Sequence, residues 1–344
     1  MNGPARRLIA LAFLVLGAAT LAACGETKTV REPSIVVSGS PTPRPSGEGP
    51  RSSNAVQISV VTHGQASSPF WAIVRNGAEA AARQMDVLLS YRAPDVYSLA
   101  RMKTLIDEAI ASRPDGLVVS LPEPGIGAEV ERAVAAGIPV VSINSGSDVA
   151  HALGVLAHVG QPEERAGLVA GRRLAEAGVR RALCVNQQVG NQGLDDRCDG
   201  LRRAMREAGG SATVLGVDDQ DPATVRRLAA VIAGRRIDGV LALNATTGIE
   251  TTDALRTRRD GRDEVPVGTF DLNPDVLTAV RDGRIRFAVD QQAYLQGYLP
   301  VSLLAQRARY GLFPAEGDVI ATGPHFVTKD NAAQALDLSR RSIR

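Results

Sequence analysis

The residues best suited to do chemistry lie just beyond short apolar runs of this 344-residue chain. Ser68, Phe70 and Trp71 follow the run 56–62, and Asn144 and Ser145 follow 139–143. Asn244 follows 239–243, Phe270 and Asp271 close 265–270, and Asp290, Gln291 and Gln292 close 287–290. Arg197 lies inside the helical segment that begins at Gly190-Asn191. With only six Phe, one Trp and five Tyr in the chain, three rings at such points form a concentration. Aromatic faces suit the C–H surfaces of a ring, whereas amides, carboxylates and a guanidinium suit hydroxyls, which need partners once out of water. The set fits a neutral polyhydroxy ligand. Two plainer roles stay open: core packing of a first helical turn for Phe70 and Trp71, and turn or helix-cap chemistry for the Asn and Asp residues.

No constellation for catalysis accompanies them. A phosphate-binding GxxxxGK[ST] loop is missing, and the fragment Gly125-Ile126-Gly127 has Val130 where a dinucleotide fingerprint needs its third glycine. There is no GxSxG nucleophile elbow. His63, His151, His158 and His325 are scattered without HExxH spacing, and no CxxC pair exists, so neither a metal nor another cofactor is expected. Asp271 and Asp290 have no nucleophile or base beside them in the sequence, which favours binding over acid–base work.

These positions must be held by a scaffold, and the chain shows one. Val-, Ile- and Leu-rich runs at 56–62, 87–91, 116–120, 139–143, 181–186, 212–217, 239–243, 265–270 and 287–290 read as strands buried on both faces. Segments of helical period fill the gaps, including 69–85, 99–113, 162–178, 191–209 and 221–235, with Pro near first turns and Gly beyond last ones. Two cycles of strand–helix units are visible, which predicts an α/β protein of two doubly wound parallel-sheet lobes. In such sheets ligands sit beyond the carboxyl ends of the strands, where the polar and aromatic residues fall. Segment 294–338 is expected to add one helix and an extended piece, DVIATGPHFVT, that returns between the lobes.

Residues 1–23 combine Arg6 and Arg7 with an apolar run and a small-residue end, the layout of a secretory leader. Leu21-Ala22-Ala23-Cys24 resembles the bacterial lipobox, which implies lipid modification of Cys24 and a membrane anchor; an ordinary leader with a bystander cysteine is the alternative. Residues 24–54 are Pro-, Ser- and Gly-rich and read as a disordered tether. Without the leader the chain carries 37 basic and 37 acidic residues, so a global electrostatic case for nucleic acid fails. Cys184 and Cys198 remain, an even count that in an oxidising compartment favours a disulfide over two buried thiols.

SPFWAIVRNGAEAAA, PDGLVVSLP, AAGIPVVSIN and FDLNPDVLTAVRDGRIRFAVDQQAYLQGY together make the chain from about Val56 to Asn331 resemble one family. These are the type I periplasmic sugar-binding proteins of ATP-binding-cassette importers, the ribose- and galactose-type group. The resemblance implies an N-terminal lobe of residues 55–159 plus 292–322, a C-terminal lobe of 160–291 plus 323–338, and three crossings that let the lobes close on a sugar. It matches Ser68, Phe70, Trp71, Arg197, Asn244, Asp271 and Gln291 to ligand-binding positions, to which Asn144 is added as a candidate from its place after a strand, with Asp271 the expected partner of Arg197 across the pocket. Departures are also visible. Asn144-Ser145 stand where the ribose-type pattern has an Asp-Arg pair, and Leu121 stands where it has an Asn; His63 and Glu123 are candidate substitutes. The implied ligand is a monosaccharide or cyclitol, and the implied partners are a permease and, through the lipid, the outer face of the cell membrane, with the protein a monomer. A ligand-presenting sensor subunit for a membrane kinase, a receptor for a non-sugar small molecule and a carbohydrate-active enzyme are the competing functions.

Overall fold

A computed structural model describes residues 55–64, 68–257, 264–314, 317–341 and 343–344. The leader, Cys24 and the tether lie outside the described residues. The first sheet is built from β1 (Val56–Val61), β2 (Val87–Arg92), β3 (Gly116–Ser120), β4 (Val140–Ile143) and β5 (Ala157–Gly160). Between them run α1 (Pro69–Gln84), α2 (Leu99–Ala111), α3 (Gly127–Ala135) and the single turn α4 (Ser147–Ala150). The chain then alternates α5 (Glu163–Glu176), β6 (Arg181–Asn186), α6 (Gln192–Glu207), β7 (Ser211–Gly216), α7 (Thr224–Gly234) and β8 (Gly239–Ala242). α8 (Ala245–Arg256), β9 (Val267–Phe270), α9 (Pro274–Arg281) and β10 (Phe287–Asp290) complete the second cycle, and α10 (Ala293–Tyr310), β11 (Asp318–Ala321), β12 (His325–Val327) and α11 (Ala332–Arg340) follow.

The strand order is β11-β5-β4-β3-β1-β2 in one sheet and β12-β10-β9-β8-β6-β7 in the other. All pairs are parallel except β10 with β12. The two-lobed α/β expectation is met. The interior strands read as unbroken apolar runs because helices cover both faces: α1 and α10 pack on one side of the first sheet and α2 and α3 on the other. α5 and α6 cover one side of the second sheet, with α7, α8, α9 and α11 opposite. Two strands begin later than the apolar run suggests. β4 starts after Pro139 and β9 after Pro266, residues with no N–H to give to a ladder, whose carbonyls accept instead from Leu117 and Val240.

The tail departs from expectation. Segment 294–338 holds most of α10 and also much of a second helix, α11, because the apolar face of β10 and β12 needs cover that Ala332, Ala335 and Leu336 supply. The extended piece is two strands, β11 on the first sheet and β12 on the second. The chain therefore crosses between lobes three times, at Gln161–Pro162, at Gln291–Gln292 and at Thr322–Pro324. Gly323 brings the crossings together: a Cβ there would lie 2.9 Å from Gln161 Oε1 and 3.1 Å from the Asp290 carbonyl oxygen.

One helix pair sets the site. Cβ atoms at Gly167 of α5 and Gly200 of α6 would stand 2.0 Å from the Arg197 carbonyl and 2.1 Å from the Glu164 carbonyl. Only hydrogen fits at either position, so the helices approach backbone to backbone. Cys198 of α6 is joined to Cys184 of β6, with Cα atoms 5.7 Å apart.

Candidate functional site

The carboxyl ends of the two sheets face each other, joined by hydrogen bonds through Gln291 and Asn191. Asn144, at φ 68°, and Asp271, at φ 66°, follow β4 and β9 directly. Left-handed backbone is uncommon for residues other than glycine and tends to collect at functional positions. Gln291, in the second crossing, joins the two: its Nε2 donates to Asp271 Oδ1 at 2.6 Å, and its Oε1 accepts from Asn144 Nδ2 at 3.4 Å. Buried Gln296 supports it, donating to Gln291 Oε1 at 3.1 Å and accepting from Asn144 at 3.3 Å. Asp271, Gln291 and Asn144 thus form one hydrogen-bonded line from lobe to lobe through the hinge. Burial pushes the Asp271 carboxyl up to about 6 even though Arg197 and the Gln291 bond oppose the shift; Glu163 and Asp290 add to it.

Arg197 is not the direct partner of Asp271, contrary to the sequence expectation. Its Nε and Nη2 donate to Glu163 at 2.7 and 2.9 Å, its Nη1 donates to the Leu243 carbonyl at 3.3 Å, and its guanidinium stacks on Phe270 at 4.3 Å. Both side chains of the pair are 3% exposed. The glycine-mediated approach of α5 to α6 places Glu163 at that distance, a contact spanning 34 residues that no local spacing signals. Phe270 itself is fully buried in the core of the second lobe and serves as the floor under the guanidinium.

On the first lobe, Trp71 is 7% exposed and stands edge-on to His63 at 4.8 Å and to Phe70 at 5.1 Å. Phe70 is half-buried against the α1 and α10 core. Ser68 occupies the cap position of α1 but gives its helix no side-chain bond. Where the family pattern has an amide, Leu121 turns into the core; beside it the His63 imidazole Nδ1 meets Ser120 Oγ at 2.9 Å and its Nε2 meets Asn191 Nδ2 of the other lobe at 3.4 Å. Ser145 Oγ reaches Asn191 Oδ1 at 3.2 Å, and the Gln192 N–H donates to the Pro122 carbonyl at 2.9 Å. The start of α6 therefore docks on the tips of β1, β3 and β4. Asn191 itself was absent from the expected set; its place as cap of α6, where Oδ1 accepts from Gly193, was the only signal.

Other expected residues divide in the way the plainer reading allowed. Asn244 caps α8 through Thr247 at 2.8 Å and donates to Asp219 at 2.8 Å, with its side chain half-buried. Asp290 is buried and holds the Gln292 N–H and the Arg344 guanidinium. Glu123 takes the Tyr97 hydroxyl. Among the described residues no group of His, Cys, Asp or Glu is arranged to hold a metal ion, and no helix is long and apolar enough to cross a membrane.

Comparison with known proteins agrees with this geometry. The family described as "Periplasmic binding protein domain" matches residues 58–311. A carbohydrate transporter from Acidothermus cellulolyticus 11B, solved in complex with myo-inositol, superposes with a TM-score of 0.78 at 33% identity, covering 84% of this chain and 100% of that one. A solute-binding protein from Burkholderia graminis in complex with D-arabinose gives 0.72 at 24% identity over 80% of this chain and 96% of that one. The xylose/arabinose-binding protein XylF of Sulfolobus acidocaldarius is 26% identical over 302 residues, 80% of this chain and 71% of that protein. This chain belongs to the periplasmic binding protein family, with the type I arrangement of two parallel-sheet lobes. It is accordingly a substrate-binding component of transport and not an enzyme.

Proposed function

We propose that the chain is the lipid-anchored, extracytoplasmic receptor of an ATP-binding-cassette importer for a monosaccharide or cyclitol, and that a cyclitol of the myo-inositol kind is the preferred ligand. The observation that carries the reading is the Asn144–Gln291–Asp271 line, which spans both lobes at a cleft where Arg197 is already charge-balanced. Such a cleft has one carboxylate and several neutral donors and acceptors to offer, a set that suits hydroxyls and disfavours an anionic ligand. Support for a cyclitol comes from the myo-inositol complex of the Acidothermus protein, which is 33% identical. Ser68, Phe70, Trp71, Asn144, Arg197, Asn244, Asp271 and Gln291 would contact the ligand, with Trp71 and Phe70 as its apolar wall. Closure about the three crossings would sequester it, and the monomeric receptor, anchored at Cys24, would hand it to a permease. The experiment is a titration calorimetry panel of myo-inositol, D-xylose, L-arabinose, D-ribose and D-glucose, with Trp71 fluorescence read in parallel. Saturable binding led by myo-inositol is expected; a pentose in first place would remove the cyclitol assignment, and silence from every member would remove the polyol reading.

A further inference from the structure

We infer that Glu163, in the first turn of α5, is a positioning and specificity-determining residue: it holds Arg197 so that the carboxylate of Asp271 stays open to ligand hydroxyls. What the ligand is rests on the polyol reading above; the geometry of Glu163 does not.

Two carboxylates compete for one guanidinium. Glu163 wins by geometry, accepting from Nε and Nη2 at 2.7 and 2.9 Å in the paired fork that arginine and carboxylate form best. The Leu243 carbonyl takes a third donor of five, which leaves one N–H on each Nη for other partners. Phe270 beneath the plane fixes its tilt. Glu163 is itself held from the hinge: its Oε2 also accepts from Nε2 of Gln161, a fully buried residue of the first crossing, at 2.8 Å. Asp271 is held from the second crossing, and only through Oδ1, by Gln291. Its Oδ2 has no hydrogen-bond partner among the described residues. Each crossing thus holds one carboxylate, and the guanidinium goes to the first.

Without the charge on Glu163, two anions remain near Arg197: Asp196, whose carboxylate already accepts from Gln192, and the more strongly coupled Asp271. The guanidinium would turn to it, and the pair would satisfy each other instead of a ligand. Glu163→Gln keeps the shape and removes the charge, so affinity for myo-inositol should fall about 10- to 100-fold. A double-mutant cycle separates this route from a general structural defect. In an Asp271→Asn background the ligand-facing carboxylate that would capture Arg197 is gone, and adding Glu163→Gln should change affinity less than about threefold. An equal loss in both backgrounds would overturn the inference. Should Glu163→Gln fail to fold by circular dichroism, Glu163→Met, equally uncharged and of similar length, carries the same cycle.

A ligand-free arm decides the matter independently. In a crystal structure of Glu163→Gln without ligand, the guanidinium of Arg197 should lie within hydrogen-bond distance of Asp271 Oδ2; a guanidinium left in place would overturn the inference. If no polyol binds the wild type, the functional reading fails, and this arm alone judges Glu163.

Discussion

The Nε2 of His63 lies 3.4 Å from the amide nitrogen of Asn191, which belongs to the opposite lobe. Because Asn191 Oδ1 is committed to the Gly193 N–H and faces the Ser145 hydroxyl, its NH2 must point at the imidazole. Nε2 is then the bare nitrogen and Nδ1–H donates to Ser120 Oγ. A proton added at Nε2 would set donor against donor, so the contact requires a neutral ring.

That requirement gives stability a pH dependence. Burial pulls His63 down to about 3 from the ordinary 6.5. The unfolded chain takes up a proton near 6.5 and the native protein does not, so the contribution of His63 is full above that pH and is lost progressively as pH falls toward 3. The slope from one such group is about 1.4 kcal/mol per pH unit. Urea unfolding at several pH values between 6.5 and 4 should therefore show a shallower decline for His63→Gln than for the wild type; parallel curves would refute it.

Ligand affinity should carry a separate pH limb from Asp271. Its folded value is raised to about 6, so the carboxylate proposed to accept ligand hydroxyls is progressively neutralised below that pH. This group works on stability in the opposite sense to His63, because the native protein then binds its proton more readily than the unfolded chain. Calorimetric affinity should drop by up to about tenfold per pH unit below 6 in the wild type. Asp271→Asn should bind more weakly at neutral pH and show no such limb.

Removing Arg197 should now cost stability as well as affinity. A residue exposed in an open groove would leave folding untouched, but Arg197→Ala strands the buried Glu163 without its counter-charge. The expected destabilisation is about 3–5 kcal/mol, alongside an affinity loss of about 30- to 1,000-fold. Urea midpoints and calorimetry on the same preparation read both, and an unchanged midpoint would contradict the role of the pair.

Trp71 depends on a missing side chain. A Cβ at Gly64 would lie 1.6 Å from the indole Nε1 and 1.7 Å from Cδ1, so Gly64→Ala must displace the ring from beside His63. As the single tryptophan, it reports this directly: emission should shift to the red, and affinity for the ligand should fall if Trp71 forms the wall of the pocket.

The Cys184–Cys198 bond closes a short loop, with a sequence separation of 14, between β6 and the helix that carries Arg197 and Asn191. Its loss by Cys184→Ala with Cys198→Ala should lower stability by about 3 kcal/mol. Alkylation of the unreduced folded protein should leave both positions unmodified; recovery of both as alkylated thiols would show that the bond does not form.

Much of this protein was legible from the chain alone. Alternating apolar runs and helical segments located nine of the twelve described strands to within two residues at either end, since strands buried on both faces must be apolar throughout; β5, a run of only four residues interrupted by His158, was not among them. Asn144, Gln291 and Asp271 were visible as polar residues directly after such runs, where a parallel sheet presents its ligand-facing edge. The Glu163–Arg197 pair and the His63–Asn191 contact were not visible. Each joins residues far apart in sequence, 34 and 128 positions respectively. Each exists because of packing that no local pattern encodes: the backbone approach of α5 to α6 at Gly167 and Gly200, and the docking of the α6 start on the first lobe. The same holds for the tail, where a single extended run divides between two sheets because each lobe needs an edge strand. The order of apolar and polar residues determined the elements and which of their ends are polar; which charge meets which was decided only when the helices closed on one another, because pairing depends on distance in space and not along the chain.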